Sequence, residues 1–333
     1  YLRSRYETDV VGFDLPYHSR SFPARVARNV GRVIRGVPPL YDRYSGHPLN
    51  IPHVNIPHAS YDVAVVEHFW CASYAPLLRP LAKRLVLDLH NIESQLAWTQ
   101  ARSSRWPVSK AMERFARAYQ ALEKQWLPQF DALLVSSDDD KRRVAHPHVV
   151  VYPNALPTYP LPQVAEDPVI LFTGNLGYQP NIEAVRWFHR HVWPHLKVET
   201  TWRVAGLNSD AVKTILTGEK IELIGAFDNA LETIARAQVA IVPLQSGSGT
   251  RFKILEAWAA GRAVVSTSIG AEGLDAIAGE HLLIADDAHT FAQSVRALLH
   301  DRNLRNRIGQ AGREHYLARF TWQVAADKLQ GVL

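Results

Sequence analysis

Short apolar runs, bounded by turn residues and in several cases lacking polar alternation, recur along the whole chain and limit its fold more than any other feature. In the first half they cover 9–13, 62–67, 84–90, 132–136 and 149–152. In the second half they cover 169–173, 202–205, 221–224, 239–244, 263–266 and 281–284. Runs of Val, Ile and Leu without alternation are how strands buried on both faces of a parallel sheet read. Helical stripes lie between them. Ala111, Met112, Phe115, Ala116, Tyr119, Leu122 and Trp126 share one face, while Arg114, Arg117 and Lys124 fall on the other. Asn181 reads as a cap before the stripe Ile182, Val185, Trp187, Phe188 and Val192. Alternating strands and helices imply an α/β, doubly wound (Rossmann-like) architecture with right-handed crossovers.

The chain's 333 residues suit two modules of about 150 each. Residues 153–168 carry five prolines and no periodicity, which marks a semi-rigid boundary. The expected division is a first domain over 1–155, a linker over 156–166, a second domain over 167–317 and a closing helical segment over 318–333. Ligands of such folds bind at the carboxyl ends of the strands, so two domains facing each other would make a cleft.

Composition narrows the class. With 47% apolar and 21% charged residues, the chain is neither disordered nor fibrous. No apolar run reaches the ~18 residues of a membrane span. The lone Cys71 excludes an intramolecular disulfide and a cysteine-based zinc site, and fits a reducing, cytoplasmic location. The start, Tyr1-Leu2-Arg3-Ser4-Arg5, has no signal-peptide core. The only methionine is Met112, so position 1 is not expected to be the natural start.

Charge is uneven. Residues 1–160 hold 20 Lys and Arg against 14 Asp and Glu, whereas 161–333 hold 17 against 18. A basic first half is expected to meet an anionic surface or ligand. The cations of 102–124, around Arg105-Trp106-Pro107, are candidates for lipid headgroups, although a solvated helix face is the default account of them. Nucleic acid is excluded as a partner, because no cluster of stacking aromatics with basic residues and no recognition motif is present.

The strongest local signal runs from Val239 to Ala257. A buried strand enters the loop Gln245-Ser246-Gly247-Ser248-Gly249-Thr250-Arg251 and then a helix beginning Phe252-Lys253-Ile254-Leu255-Glu256. Glycines let a backbone approach a ligand, and a helix start favours phosphate. Arg251 and Lys253 add two cations there, and Glu256, one turn on, can accept from sugar hydroxyls. A plain glycine turn with two solvated cations is the competing account. The spacing is neither the dinucleotide fingerprint nor a Walker loop. His53/His58 and His146/His148 read as loop histidines, not metal ligands. The run Ser136-Ser137-Asp138-Asp139-Asp140 reads as a strand end followed by an acidic helix start.

At these residues the chain resembles the family 4 glycosyltransferases, retaining enzymes of the GT-B fold. The family pattern is E-G-F-G followed four residues later by E-A, with the two glutamates eight positions apart. Glu256-Ala257 matches the second glutamate and Gly249 the first glycine, while Ser248 stands in place of the first glutamate. The segments Phe172-Thr173-Gly174-Asn175-Leu176, Gly225-Ala226-Phe227-Asp228, Gly261–Thr267 and Gly270–Leu274 resemble the glycine turn, the base loop, the following strand and its loop. In the first domain, His90 of Asp88-Leu89-His90-Asn91-Ile92-Glu93 matches a histidine that reaches the donor sugar.

The resemblance implies transfer of a hexose from a UDP- or GDP-sugar, with retention, to a carbohydrate or lipid-linked acceptor in polysaccharide biosynthesis. It implies no metal and no other cofactor. His90, Arg251 and Lys253 become the catalytic candidates. Gly174, Asn175, Phe227, Gly247, Ser248, Gly249, Thr250 and Glu256 become the donor-binding candidates. The first domain is then the acceptor side, the second the nucleotide-sugar side, and the final helix crosses back to the first. An anionic membrane surface, at the inner face, is a candidate partner.

Two departures from the family stand out. The stretch after the first strand of the second domain, Gly174–Asn181, lacks the usual Arg and Lys, so Arg251 and Lys253 are expected to take over the pyrophosphate. The opening strand and glycine loop are expected to be missing, with Tyr1–Tyr6 reading as the end of the next helix. The alternative is a non-catalytic GT-B relative that binds a nucleotide-sugar or a partner enzyme.

Overall fold

The computed structural model describes residues 21–47, 61–197, 199–247 and 251–332. It divides into two compact units, Tyr1–Tyr152 with Gln330–Leu333, and Pro153–Leu329. The strand expected at 9–13 and the chain start lie outside the described residues, as do His53 and His58.

In the first unit, β1 (Tyr61–Glu67), β2 (Ala82–Leu89), β3 (Ala132–Val135) and β4 (Val149–Val151) form a parallel sheet in the order β1-β2-β3-β4. Leu85, Val86, Leu87 and Leu133 have no exposed surface, so β2 and β3 are covered on both faces. Asp131 fixes the entry to β3: its carboxylate accepts from the Leu85 amide at 2.6 Å and from Arg79 at 2.7 Å. The helices Glu93–Ser103 and Val108–Trp126 pack on each other, the second burying Phe115, Ala116 and Tyr119. The acidic run after β3 starts the helix Asp138–Arg143, with Ser137 accepting from the Asp140 amide as its cap.

In the second unit, β5 (Asp167–Thr173), β6 (Thr201–Ala205), β7 (Ile221–Ile224), β8 (Ala237–Val242), β9 (Ala263–Ser266) and β10 (Leu283–Ile284) form a parallel sheet in the order β10-β9-β8-β5-β6-β7. Relative to this unit's first strand, that is 6-5-4-1-2-3, the doubly wound order of dinucleotide-binding folds. The order reverses between β5 and β8, and ligands of such sheets bind at that reversal. All ten expected runs within the described residues are strands, displaced by at most two residues at either end.

Two local expectations are corrected. Asn181 does not cap its helix, which is Gln179–Trp187 with Tyr178 at the cap; Asn181 sits inside the first turn. Its side chain instead donates back to the Asn175 carbonyl at 2.7 Å. His281 is not part of the last strand, because its Nδ1 accepts from the Ile277 amide at 3.1 Å and closes a turn.

The proline-rich stretch is strapped to the second unit's own helix Arg302–Arg319 and to Phe320 and Trp322 just beyond it. Prolines supply no N–H, so side chains reach its carbonyls. Arg313 donates to Tyr159 O at 2.8 Å, Trp322 to Ala155 O at 3.1 Å, and the Tyr316 hydroxyl to Pro157 O. Leu156 exchanges backbone bonds with Phe320 and Trp322.

The helix Phe252–Ala259 carries the site and is anchored from behind. Trp258 is fully buried and donates to His281 O at 3.0 Å. A Cβ on Gly312 would collide with the Trp258 ring and come 2.9 Å from the His281 carbonyl oxygen. Alanine normally gains ~0.5–1 kcal/mol over glycine inside a helix, whereas overpacking a rigid core costs ~1–3 kcal/mol. The second term wins here. Gly312→Ala is expected to lower stability by ~1–2 kcal/mol in denaturant titrations; an unchanged or raised midpoint would show that the ring yields.

Candidate functional site

The turn after β5 is built without side chains. Gly174 has φ +148° and Gly206, after β6, has φ +146°. A Cβ on Gly206 would collide with the Gly174 carbonyl. Asn175 is exposed, but its Oδ1 accepts from the Gly177 amide at 3.0 Å and from Asn208 at 2.8 Å. Together with Asn181, these bonds fix the turn in front of the helix Gln179–Trp187.

The loop after β8 packs on the same helix. Ser246 donates to Glu183 at 2.7 Å. Gly247 has φ +110°, and a Cβ there would lie 3.2 Å from Pro180 Cβ. Ser248, Gly249 and Thr250 lie outside the described residues. Arg251 caps the helix Phe252–Ala259 and is only 5% exposed. Its Nη2 donates to Gly247 O at 3.1 Å and lies 3.3 Å from a Glu272 oxygen. Its buried Nε has no hydrogen-bond partner among the described residues.

Lys253 joins the two turns. Its ammonium lies 5.2 Å from the centroid of Phe172, the penultimate residue of β5, and a Cβ on Gly174 would collide with it. The helix after β8 thus places a cation beside the turn after β5. Burial pushes the ammonium down to about 8, against the pull of Glu256 and with the push of Arg251. Glu256, one turn on and half-buried, is raised by burial and held down by Lys253. Ile254, Leu255, Ala257 and Trp258 point the rest of the helix into the core. Phe227, after β7, packs half-buried against that core, two strands from the reversal.

In the first unit, His90 follows β2 and joins a row of rings. His90 and His68 centroids are 4.1 Å apart, His68 and Trp70 4.2 Å, Trp70 and Tyr44 5.8 Å. His68 holds φ +68°, and its amide donates to Asp88 O at 3.0 Å. His90 Nε2 is buried, 3.9 Å from an Asp88 oxygen, without a hydrogen-bond partner among the described residues. Burial lowers His68, with His90 adding to the effect, and burial raises Asp88. Next along the chain, Ile92 cannot cap the helix Glu93–Ser103, so Glu123 accepts from the Ser94 amide at 2.9 Å. Glu93 is buried beside it and is pushed up to about 7, first by burial and then by Glu123.

Sequence reasoning missed the partners of these groups: Glu272 on Arg251, Glu183 on Ser246, and the rings beside His90. No spacing signal links residues so far apart in the chain. Among the described residues no group of three or more His, Cys, Asp or Glu is placed to hold a metal ion.

Residues 167–301 match the family model described as Glycosyl transferases group 1. An uncharacterized 44.6 kDa protein in the cps region of Klebsiella pneumoniae is 32% identical over 138 residues, 38% of this chain and 36% of that protein. The match therefore spans about a third of that relative's length. Among solved structures, sucrose-phosphate synthase from Thermosynechococcus elongatus is similar at a TM-score of 0.63 and 18% identity, covering 82% of this chain and 73% of that one. Alr3699/HepE of Anabaena, in complex with UDP-glucose, is similar at 0.60 and 13%, covering 82% and 78%. The fold is therefore GT-B, two parallel-sheet α/β domains, and the match to the group 1 glycosyltransferase model lies within the second unit.

The buried charges have two measurable outcomes. The folded chain binds the Lys253 proton less tightly than the unfolded chain does. The cost is fully present below pH 8, and stability climbs from about pH 8 toward the unfolded value. Lys253→Met is expected to be more stable than the parent at pH 7, with the gain shrinking by pH 10, in thermal melts. Glu93 behaves oppositely, holding its proton up to about pH 7 in the fold, so stability falls as pH rises from the unfolded value through 7. Relative to the parent, Glu93→Gln is expected to gain roughly 5 °C in melting temperature between pH 5 and pH 8; a pH-independent difference would remove Glu93 as the titrating group.

Proposed function

We propose that this chain is a glycosyltransferase that moves a hexose from a nucleotide-diphospho-sugar to a carbohydrate or lipid-linked acceptor, with retention of configuration. The observation that carries this reading is the Lys253 ammonium against the Gly174 turn, at the reversal of the strand order. A lysine that holds its proton less tightly than usual, beside a buried arginine, is a site short of negative charge. A diphosphate supplies that charge, and a diphosphate leaving group gains it during the reaction.

In this reading Lys253, Arg251 and the backbone of the 247–249 loop stabilise the departing diphosphate, which removes the need for a metal. Glu256 accepts from the ribose hydroxyls. Gly174 and Asn175 line the phosphate side, and Phe227 the base side. His90 is the first unit's contribution, hydrogen-bonding a sugar hydroxyl. The complex of HepE with UDP-glucose supports a uridine nucleotide. The cps region of the Klebsiella relative supports polysaccharide biosynthesis as the setting.

Calorimetric titration with UDP, GDP, ADP and dTDP, beside Glu256→Ala, tests this. One diphosphate is expected to bind selectively, with affinity falling at least about tenfold in the variant, the scale of a lost charged hydrogen bond. Arg251→Ala is expected to cut turnover ~10²-fold or more. Absence of binding by all four sinks the reading. Binding without turnover of any sugar assigns the chain to the non-catalytic alternative.

A further inference from the structure

Among the described residues, every hydrogen bond of the Arg251 side chain leaves from one nitrogen. Nη2 donates to Gly247 O at 3.1 Å and to a Glu272 carboxylate oxygen at 3.3 Å. A guanidinium carries five N–H groups, two of them on Nη2. Both Nη2 hydrogens are therefore used, while the one on Nε and the two on Nη1 remain. The guanidinium is clamped at one corner and leaves its other two nitrogens to a ligand.

The segment that brings Glu272 to this clamp is tightly fixed. Ser266 and Thr267, where β9 ends, are buried. The Thr267 hydroxyl donates to Leu244 O and accepts from the Gly270 amide at 3.0 Å. The Thr267 amide and the Ser266 hydroxyl both donate to Val242 O, at 3.2 Å and 3.3 Å. A Cβ on Gly270 would collide with the Ser266 hydroxyl and stand 2.8 Å from Val242 O. Ser268 donates its amide and its hydroxyl to Asp286, at 2.7 Å and 2.6 Å. These bonds press the helix Ser268–Ala271 against the end of β8, and Glu272 follows directly on it. The Glu272 side chain is half exposed, yet its partner is only 5% exposed. An exposed carboxylate gains little from an ion pair, whereas a buried guanidinium left without a countercharge is costly. Burial lowers the hold of Arg251 on its proton, and Glu272 leads the groups that raise it.

We infer that Glu272 is a positioning residue, which fixes the Arg251 guanidinium so that its Nε and Nη1 hydrogens meet the diphosphate. The inference rests on the donor reading above and adds the group that orients its arginine. Two effects of the carboxylate oppose each other. As a bare negative charge it repels a diphosphate, so its removal would tighten binding. As a clamp it stops the guanidinium from swinging on the single Gly247 bond, so its removal loosens binding. The repulsion comes from a half-exposed group and is screened by water and salt. The clamp acts on a buried one, and its effect is the larger.

Calorimetric titration of the 333-residue chain with inorganic pyrophosphate and with UDP, GDP, ADP and dTDP tests this, beside thermal melts of each variant. Glu272→Ala is expected to weaken the diphosphate that the parent selects by about tenfold, the scale of a charge-assisted hydrogen bond. Glu272→Gln keeps an oxygen at the same reach and is expected to bind as tightly as the parent. In an Arg251→Ala background, Glu272→Ala is expected to change affinity by less than about twofold, because it acts through the arginine. Equal or tighter binding by Glu272→Ala would overturn the role. So would a Glu272→Gln as weak as Glu272→Ala, or the same loss with and without Arg251. A parent that binds none of these ligands removes the donor reading and this role together, whereas a binding parent with an unaffected Glu272→Ala removes this role alone.

Discussion

A lysine ammonium occupies the space where a side chain at position 174 would stand, and much of the second unit is arranged around that exclusion. The backbone at 174, with φ +148°, favours glycine there, and the Gly174 carbonyl requires glycine at 206. With two bare turns side by side, Asn175 and Asn181 must supply the bonds that side chains and caps would otherwise provide. Behind the ammonium, the helix is pinned through Trp258 and Gly312. A buried cation is expensive unless something compensates. The Phe172 ring face and the Glu256 carboxylate compensate only in part, as the lowered proton affinity of Lys253 records.

The first unit follows the same rule by other means. Its strand ends carry rings instead of glycines. The backbone of His68 is held left-handed, so its imidazole lies against His90 on one side and Trp70 on the other. Glu123 satisfies an amide that Ile92 cannot cap, and it does so beside a second buried carboxyl. In both units the turns at the carboxyl ends of the strands carry polar groups: His68 and His90 in the first, Asn175 and the Gly174 turn in the second.

The strands were legible because most of their residues are apolar and buried, although Arg203 and Glu222 interrupt β6 and β7. Their ends were less so. The strand expected at 239–244 is β8, Ala237–Val242, with Ala237 fully buried at its start. The cations of the 239–257 motif were legible from their spacing, and the structure brings Lys253 to the Gly174 turn. What sequence alone hides is pairing at a distance: Glu272 on Arg251, Glu183 on Ser246, and the rings beside His90.

The row of rings at the end of β2 also has an arithmetic. His68 is held between two rings, its centroid 4.1 Å from that of His90 and 4.2 Å from that of Trp70. Burial there lowers its hold on a proton, and the neighbouring His90 adds to the effect. Toward acid, His68 therefore stays neutral over a range in which a free imidazole would have charged, and its two faces keep their ring contacts.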